Sequence, residues 1–227
     1  MKKRAVIFGA SGLVGRELLT ILTNDAEISE IIVVVRKKID EQSPKVKQIC
    51  LTDFSGLDNF KDSLHADMFF CCIGTTIKKA GSEEEFRRVD FQIPVAVAQM
   101  AEALSIPSLV VISSVGAHAA SANFYLRTKG EMEKTVAEVY HGNLKFVRPS
   151  LLMGDRKEFR FGEKTAVVFM KVFGWIFVGP LRRYKGVNAS DVAFCMRQIA
   201  SDNSDKKVYE SDELHKLARE TIILKTI

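Results

Sequence analysis

The sequence predicts an α/β protein built on a doubly wound parallel sheet, and three observations support this prediction. Short apolar runs rich in Val, Ile and Phe alternate along the chain with segments of helical periodicity. The first apolar run leads through a glycine-rich turn directly into a helical pattern. The 227-residue chain is 47% hydrophobic and 27% charged, a composition that can bury one sizeable core. We therefore expect a single domain over residues 1–227, with residues 151–227 contributing a small C-terminal lobe.

Seven apolar segments are predicted as strands, and helical patterns fill most of the intervals between them. In chain order the strands cover residues 5–8, 31–35, 49–51, 68–73, 109–112, 144–147 and 207–210. Helices are predicted from the glycine turn through Leu22, after Ser82, over 94–104, over 125–140 and from Ser190. Ser82 and Glu85 have the spacing of a capping box, and Pro94 suits a first helical turn.

Glycines dominate the turn that follows the first predicted strand. They lie at the spacing of a dinucleotide-binding turn, in the run Gly9-Ala10-Ser11-Gly12-Leu13-Val14-Gly15. Glycine permits the tight turn, the close approach of backbone to a pyrophosphate, and the close packing of helix on strand. The N–H groups that begin the following helix can then bind the phosphates. We therefore expect dinucleotide binding here rather than an ordinary strand-to-helix turn.

Polar residues follow the second and third predicted strands. Arg36 and Lys37, with Lys38, stand where an acidic residue would bind the adenosine ribose 2′-hydroxyl of NAD. Basic groups there favour the 2′-phosphate of NADP through charge-assisted hydrogen bonds, and the alternative interpretation is a solvated basic turn. Asp53 also has two interpretations, contact with the adenine edge or capping of a turn.

A serine pair, a tyrosine and a lysine form a candidate catalytic set. Ser113 and Ser114 follow the fifth predicted strand, where a hydroxyl can bond a substrate oxygen. Tyr125 and Lys129 are four residues apart on a predicted helix, so they share one face. A nearby ammonium favours the phenolate and makes the tyrosine a usable acid or base. The alternative is a half-buried aromatic beside a surface lysine.

These segments resemble the short-chain dehydrogenase/reductase superfamily, in its atypical or extended branch. The resemblance rests on the glycine turn, Ile112-Ser113-Ser114, Tyr125-Leu126-Arg127-Thr128-Lys129 and Arg148-Pro149-Ser150. More narrowly, the Tat-interacting-protein-like oxidoreductases have segments similar to Cys72-Ile73-Gly74-Thr75-Thr76, Ser113-Ser114-Val115-Gly116-Ala117, and Asn123-Phe124-Tyr125 running to Lys129-Gly130-Glu131. The resemblance covers nearly the whole chain.

The resemblance implies a Rossmann domain that binds NADP(H), with Tyr125 as the acid/base. Lys129 would bind the nicotinamide ribose and tune the tyrosine, and Ser113 or Ser114 would orient a carbonyl. Further cofactor-binding positions implied by it are Gly9, Gly12, Gly15, Gly74, Thr75, Pro149 and Ser150. The superfamily's substrate lobe comes from the region that includes the apolar stretch 166–178, which we interpret as a lid, an interface or plain core. The family's Asn-Asn-Ala-Gly segment is Cys-Cys-Ile-Gly here, so its asparagine role is not carried over.

We expect an NADP(H)-dependent oxidoreductase acting on the carbonyl or alcohol of a small molecule. Two alternatives stay open: an NADP(H)-binding regulatory or interaction protein with little turnover, and a nucleotide-sugar epimerase-like enzyme. The C-terminal part looks short for a nucleotide-sugar pocket. A homodimer or a protein partner is also left open.

Composition excludes several other classes. A formal charge of +5 and a pI of about 9.0 permit a nucleic-acid partner, but the basic residues are scattered and no nucleic-acid-binding motif is present, so none is expected. The four histidines and four cysteines lack metal-ligand spacing, so no metal is expected. The N-terminal apolar run meets Gly9 too soon for a signal peptide, and 166–178 is too short to span a membrane. We interpret the cysteines as buried free thiols of a cytoplasmic protein.

Overall fold

A computed structural model of the chain describes residues 2–153 and 186–224. Its strands are β1 (Lys3–Phe8), β2 (Ile28–Val35), β3 (Val46–Cys50), β4 (Met68–Cys71), β5 (Ser108–Ile112), β6 (Asn143–Arg148), β7 (Leu152–Met153), β8 (Val187–Asn188) and β9 (Val208–Glu210). Its α-helices are α1 (Leu13–Asn24), α2 (Ile77–Ala80), α3 (Glu83–Arg87), α4 (Ile93–Ala103), α5 (Phe124–Val139), α6 (Ala189–Ile199) and α7 (Ser211–Leu224).

Seven of these strands form one parallel sheet in the order β3-β2-β1-β4-β5-β6-β9. The order reverses between β1 and β4, which is the switch point of a Rossmann fold. The predicted fold class is therefore confirmed. Because all seven strands run in one direction, the segments that follow β1, β2, β4, β5 and β6 lie at the same edge of the sheet. We call this edge the carboxyl edge.

Both faces of the sheet are covered by apolar side chains. Ala5 and Ile7 of β1 pack in one buried cluster with α1 and α6, whereas Val6 and Phe8 pack in another with α4 and α5. This alternation follows from the two-residue repeat of a strand. It explains why the central strands read as continuous apolar runs.

The observed bounds differ from the predicted ones mainly where polar residues continue a strand. β3 begins at Val46 rather than at residue 49, because its edge position allows the polar Lys47 and Gln48 to pair with β2. β4 ends at Cys71, so Cys72 and Ile73 already belong to the segment after it. The two-residue strands β7 and β8 pair with each other, and the sequence pattern did not indicate them.

The two helices predicted around Ser82 and Pro94 are joined into one helical run. The Ser82 hydroxyl accepts the N–H of Glu85, which is one half of the predicted capping box, whereas the Glu85 carboxylate accepts a hydrogen bond from Arg88. Between α3 and α4 the backbone forms a π-helical turn over Arg88–Gln92. Pro94 has no N–H to give to the carbonyl four residues earlier, which belongs to Asp90. A wider turn accommodates that missing bond, and such turns are frequent at functional sites.

Candidate active site at the carboxyl edge

The glycine turn between β1 and α1 leaves no room for side chains at two positions. A Cβ atom on Gly15 would lie 2.2 Å from the carbonyl oxygen of Gly9, so helix and strand could not pack as they do. Gly9 has a φ of 86°, and a Cβ there would lie 3.0 Å from the backbone of Cys72. The Gly12 N–H donates to the Gly9 carbonyl at 2.9 Å, which closes the turn.

The first turn of α1 is open to a ligand. Gly12 is the N-cap, and within 2–153 and 186–224 no side chain caps the helix. Ser11 and Gly12 are exposed, whereas Ala10 and Val14 are buried beneath them. A helix that begins this way offers free N–H groups and its positive dipole end. The turn thus has the form that accepts an anion such as a pyrophosphate.

The basic turn after β2 is exposed at the same edge. Arg36 and Lys37 follow the last residue of β2 directly and extend into solvent. Asp53 lies after β3, where its two oxygens accept the Ser55 N–H at 3.1 Å and the Ser55 hydroxyl at 2.9 Å. The hydrogen bonds from Ser55 lower the Asp53 pKa. Of its two interpretations, the cap is the one for which the structure shows contacts.

A buried ion pair joins α5 to the π-helical turn. Lys129 Nζ lies 2.7 Å from Asp90 Oδ1, with the two side chains only 3% and 1% exposed. Asp90 Oδ2 accepts the backbone N–H of Thr75 at 2.8 Å. A Cβ on Gly74 would lie 3.3 Å from Asp90 Oδ1 and 3.8 Å from Lys129 Nζ. The predicted cofactor positions Gly74 and Thr75 therefore lie beside the pair that Asp90 forms with Lys129.

The charge on Lys129 is maintained by its neighbours. Burial by itself would lower the pKa of the ammonium, but the Asp90 carboxylate, followed by Tyr125, raises it above its usual value. Lys129 is consequently charged throughout the physiological range. Burial raises the pKa of the nearby Cys71 thiol to about 11, so this cysteine is a thiol and not a thiolate.

Tyr125 lies one turn before Lys129 and is partly exposed. Its ring packs against Phe86 of α3 with 5.4 Å between centroids. Asn123 caps the helix by accepting the N–H of Leu126 at 3.1 Å, which sets where α5 begins. The prediction that Tyr125 and Lys129 share a helix is confirmed, although the closest charged partner of the lysine is Asp90.

The two serines differ in environment. Ser113 is 4% exposed and its N–H donates to the Val147 carbonyl, while its hydroxyl has no partner among the residues that the structure describes. Ser114 is partly exposed, and its hydroxyl makes one long contact of 3.4 Å to the Val115 carbonyl. The Ser114 hydroxyl can thus rotate toward a ligand and give up only this weak hydrogen bond.

The serine loop is held against α5 by a close approach at Gly130. A Cβ on Gly130 would lie 2.2 Å from the Ala119 nitrogen and from the His118 carbonyl carbon. The His118 N–H also donates to the Leu126 carbonyl at 3.1 Å. These contacts keep the loop that carries Ser113 and Ser114 beside the helix that carries Tyr125.

Pro149 and Ser150 follow β6 at the same edge. The Pro149 carbonyl accepts the N–H of Val115 at 3.1 Å, which links this segment to the serine loop. The Ser150 hydroxyl accepts the Ser211 hydroxyl at 3.0 Å, at the start of α7. All predicted positions in the described residues therefore lie in segments that meet at one edge of the sheet.

Asp90 is the site residue that sequence reasoning missed. Phe86, Asp90 and Ile93, followed by Val97, are spaced four, three and four residues apart and are all buried. A lone acidic residue on such an apolar stripe is a detectable signal, because a buried charge requires a partner. The apolar stretch 166–178 lies outside the described residues.

Neither a metal cluster nor a membrane span is found in the part of the chain that the structure describes. No group of three or more His, Cys, Asp or Glu side chains there could hold a metal ion. No helix among residues 2–153 and 186–224 is long and apolar enough to cross a bilayer.

The sequence matches characterised relatives over most of its length. It is 30% identical over 224 residues to "Protein FMP52, mitochondrial" of Candida albicans, covering 93% of this chain and 96% of the yeast protein. It is 36% identical over 171 residues to "Protein HTATIP2" of Rattus norvegicus, covering 74% of this chain and 70% of the rat protein. The resemblance to Tat-interacting-protein-like proteins is thereby confirmed.

The expected cytoplasmic location is wrong as judged by the FMP52 relatives, which are named as mitochondrial.

Solved structures and a family model agree on the fold. The structure titled "MoeE5 in complex with UDP-glucose and NAD" superposes with a TM-score of 0.68 at 15% identity, covering 96% of this chain and 81% of that protein. The model of the NAD dependent epimerase/dehydratase family matches residues 5–161. The family includes members of the extended short-chain dehydrogenase/reductase superfamily. The protein therefore belongs to the NAD dependent epimerase/dehydratase family.

Proposed function

We propose that this protein binds NADP(H) and transfers hydride between that cofactor and the carbonyl or alcohol of a small molecule. The observation that carries the proposal is the juxtaposition, at the carboxyl edge, of an uncapped glycine turn with a buried, charged lysine one helical turn from a tyrosine. Family membership supports a dinucleotide cofactor. The preference for NADP over NAD rests on Arg36 and Lys37.

The residues present fit a nicotinamide dinucleotide. The turn Gly9–Gly15 would hold the pyrophosphate, since Cβ atoms at Gly9 and Gly15 would collide with neighbouring backbone and force the tight turn apart. Arg36 and Lys37 would hold the 2′-phosphate. Gly74, Thr75 and Lys129 would face the nicotinamide ribose, with Pro149 and Ser150 beside the nicotinamide. Asp53 would reach the adenine only by giving up contacts to Ser55. The bound cofactor supplies the hydride.

Tyr125 is the proposed acid and base. In carbonyl reduction its phenol would give a proton to the substrate oxygen, and in alcohol oxidation the phenolate would take that proton back. The charged Lys129 beside it favours the phenolate. Of the two serines, the partly exposed Ser114 is the better candidate to donate a hydrogen bond to the substrate oxygen.

A screen of carbonyl compounds, with NADPH oxidation followed by absorbance, tests the proposal. Tyr125→Phe should lower turnover by about 10²- to 10⁴-fold, because the proton donor is removed. Its NADPH affinity should stay near wild type, because the ring is retained. Ser114→Ala should reduce turnover more than Ser113→Ala. A Tyr125→Phe rate within a few-fold of wild type would contradict the assigned role.

A nucleotide-sugar substrate is the second candidate, and the comparisons favour it. The matching family model is that of epimerases and dehydratases, and the MoeE5 structure contains UDP-glucose and NAD. Including UDP-sugars in the screen, with product analysis for epimers, separates this candidate from a simple reductase. If NADPH binds but no substrate turns over, the regulatory interpretation gains support over both.

A further inference from the structure

Asp90 uses its two carboxylate oxygens on two different segments of the site. Oδ1 pairs with Lys129 Nζ at 2.7 Å, and Oδ2 accepts the Thr75 N–H at 2.8 Å. Lys129 belongs to α5, whereas Thr75 belongs to the segment after β4. One side chain thus fixes the distance between two elements that come from different parts of the chain.

Burying the Asp90–Lys129 ion pair carries a desolvation penalty, so its presence requires an explanation. Asp90 is 1% exposed and lies on a stripe of apolar residues. Replacing a buried ion pair by apolar residues is often neutral or stabilising, so such a pair is weak evidence of a role in stability. Its contacts with Gly74 and Thr75, in the segment after β4, instead indicate a role in the site.

We propose that Asp90 is a positioning residue, which holds Lys129 and the Thr75 N–H in fixed register for cofactor binding and offsets the lysine charge at Tyr125. This inference rests on the proposed function for its cofactor part. Asp90 does not contact substrate in this account. It acts through Lys129 and through the segment after β4.

The groups around Lys129 determine what Asp90 does to the charge. Asp90 faces the ammonium from the π-helical turn, Tyr125 from α5 and Cys71 from β4. Among these groups, Asp90 has the largest effect in raising the pKa of the ammonium. With Asp90 in place, its negative charge offsets the positive charge of the Lys129 ammonium, so the ammonium stabilises the Tyr125 phenolate less. Without it, the phenolate becomes the available counter-ion.

A double-mutant cycle on NADPH affinity, measured by calorimetry, tests the positioning role. Asp90→Asn keeps an amide oxygen for Thr75 but loses the charge that holds Lys129. We expect Asp90→Asn and Lys129→Met each to weaken NADPH binding by about tenfold or more. The double variant should be no weaker than Lys129→Met alone, because Asp90 acts through the lysine. If the losses of NADPH affinity in the two single variants multiply in the double variant, the inference is overturned.

Spectroscopic titration of the Tyr125 phenol provides a readout that needs neither cofactor nor substrate. The signal is the difference between each protein and its Tyr125→Phe counterpart. In Asp90→Asn the phenol should ionise at lower pH than in the parent protein, because Lys129 has lost its carboxylate. An unchanged or higher midpoint would contradict the charge role.

The matched control is Asp25→Asn. Asp25 also forms a short ion pair, 2.6 Å from Arg197, but it precedes β2 and so lies at the opposite edge of the sheet. It should change neither NADPH affinity nor the Tyr125 midpoint. Equal losses in both variants would mean that Asp90 acts only through folding. Failure of wild type to bind NADPH and NADH would overturn the proposed function, while the phenol titration would still decide the charge role of Asp90.

Discussion

At the residue scale, the identities of two glycines are set by atoms that lie too close for any side chain. Gly15 was predicted from its spacing, because the strand-turn-helix pattern requires close packing there. Gly130 was part of the motif that carries the family resemblance, but its contact with the His118–Ala119 backbone depends on a loop that folds back from β5. Local spacing predicts the first kind of contact and not the second.

The close packing at Gly15 gives the first prediction. Gly15→Ala should lower the free energy of unfolding by about 1–3 kcal/mol, because the added Cβ must push α1 away from β1. Chemical denaturation measures this. Gly56→Ala is the control, since its Cβ would meet the ends of two side chains, Leu51 at 3.3 Å and Asn59 at 3.7 Å, and no backbone atom of the described residues within 4 Å. Equal stability of the two variants would contradict the packing argument.

The cysteines show where composition alone misleads at this scale. All four are free, but Cys50 is exposed and Cys72 is only partly buried, so the expectation of buried thiols is wrong for these two residues. Cys50 ends the edge strand β3, where one side of the strand has no neighbour in the sheet. Burial raises the pKa of the Cys71 and Cys195 thiols to about 11 and about 12.

The second prediction follows from these environments. A disulfide reagent at neutral pH should label one thiol per chain rapidly, and Cys50→Ser should remove that fast phase, because the thiolate must be accessible to react. Cys195→Ser should leave the fast phase unchanged. A fast phase that persists in Cys50→Ser would contradict the prediction and show that another thiol, with Cys72 as the least buried of the other three, is accessible in solution.

At the scale of elements, apolar periodicity predicted the central strands and the long helices well. It failed where long-range contacts decide the structure. β7 and β8 depend on pairing between segments that are distant in the sequence. The π-helical turn lies directly before Pro94, and apolar periodicity did not predict it either. Lys129 was predicted on its correct helix face, but its carboxylate partner comes from another element. Element positions were therefore predictable, and contacts between elements were not.

The third prediction concerns how α5 is fixed to the sheet. Arg148 at the end of β6 pairs bidentately with Glu133 of α5, at 2.9 and 2.5 Å, and with Glu210 of β9 at 2.9 Å. Glu133→Ala should cost about 3 kcal/mol of folding free energy, because it leaves a half-buried guanidinium short of a partner. Chemical denaturation at constant pH measures the loss.

Glu138→Ala provides the control on the same helix. Glu138 pairs with Lys134 across 3.9 Å on an exposed surface, so its removal should cost less than about 0.5 kcal/mol. If both glutamates contribute equally, the Arg148 cluster does not fix α5.

At the scale of the whole molecule, the alternation of strands and helices was sufficient to predict a doubly wound sheet. The ion pairs that connect its distant parts could not be predicted in the same way. Arg197 of α6 pairs with Asp25 and Glu27, which lie more than 160 residues earlier in the chain. Buried Lys145 donates to the carbonyls of Ser204 and Lys206. Such contacts can be predicted only once the fold is known, because no local sequence pattern links the partners.

The fourth prediction is that the protein loses stability in acid. Hydrogen bonds from the Tyr209 hydroxyl and the Ser204 N–H lower the Asp202 pKa to about 2. A carboxylate with a lowered folded-state pKa contributes stability that is present above its unfolded value, about 4, and is lost as pH falls toward 2. The free energy of unfolding, measured by urea denaturation, should therefore decline over this range. Asp202→Asn should make the free energy of unfolding depend less on pH over this range. If the variant and the wild type show the same dependence, Asp202 is not the source of the acid sensitivity.

Calorimetric titration with NADPH and with NADH tests the central claim, that the carboxyl edge is an NADP-type dinucleotide site. We predict that NADPH binds at least about tenfold more tightly than NADH, a difference of about 1.4 kcal/mol, because the 2′-phosphate gains bonds to Arg36 and Lys37. Arg36→Ala should reduce that preference, whereas Lys134→Ala, an exposed charge on α5, should leave it intact. Equal affinities, or a preference that survives Arg36→Ala, would contradict the NADP assignment. Failure of both nucleotides to bind would contradict the site itself.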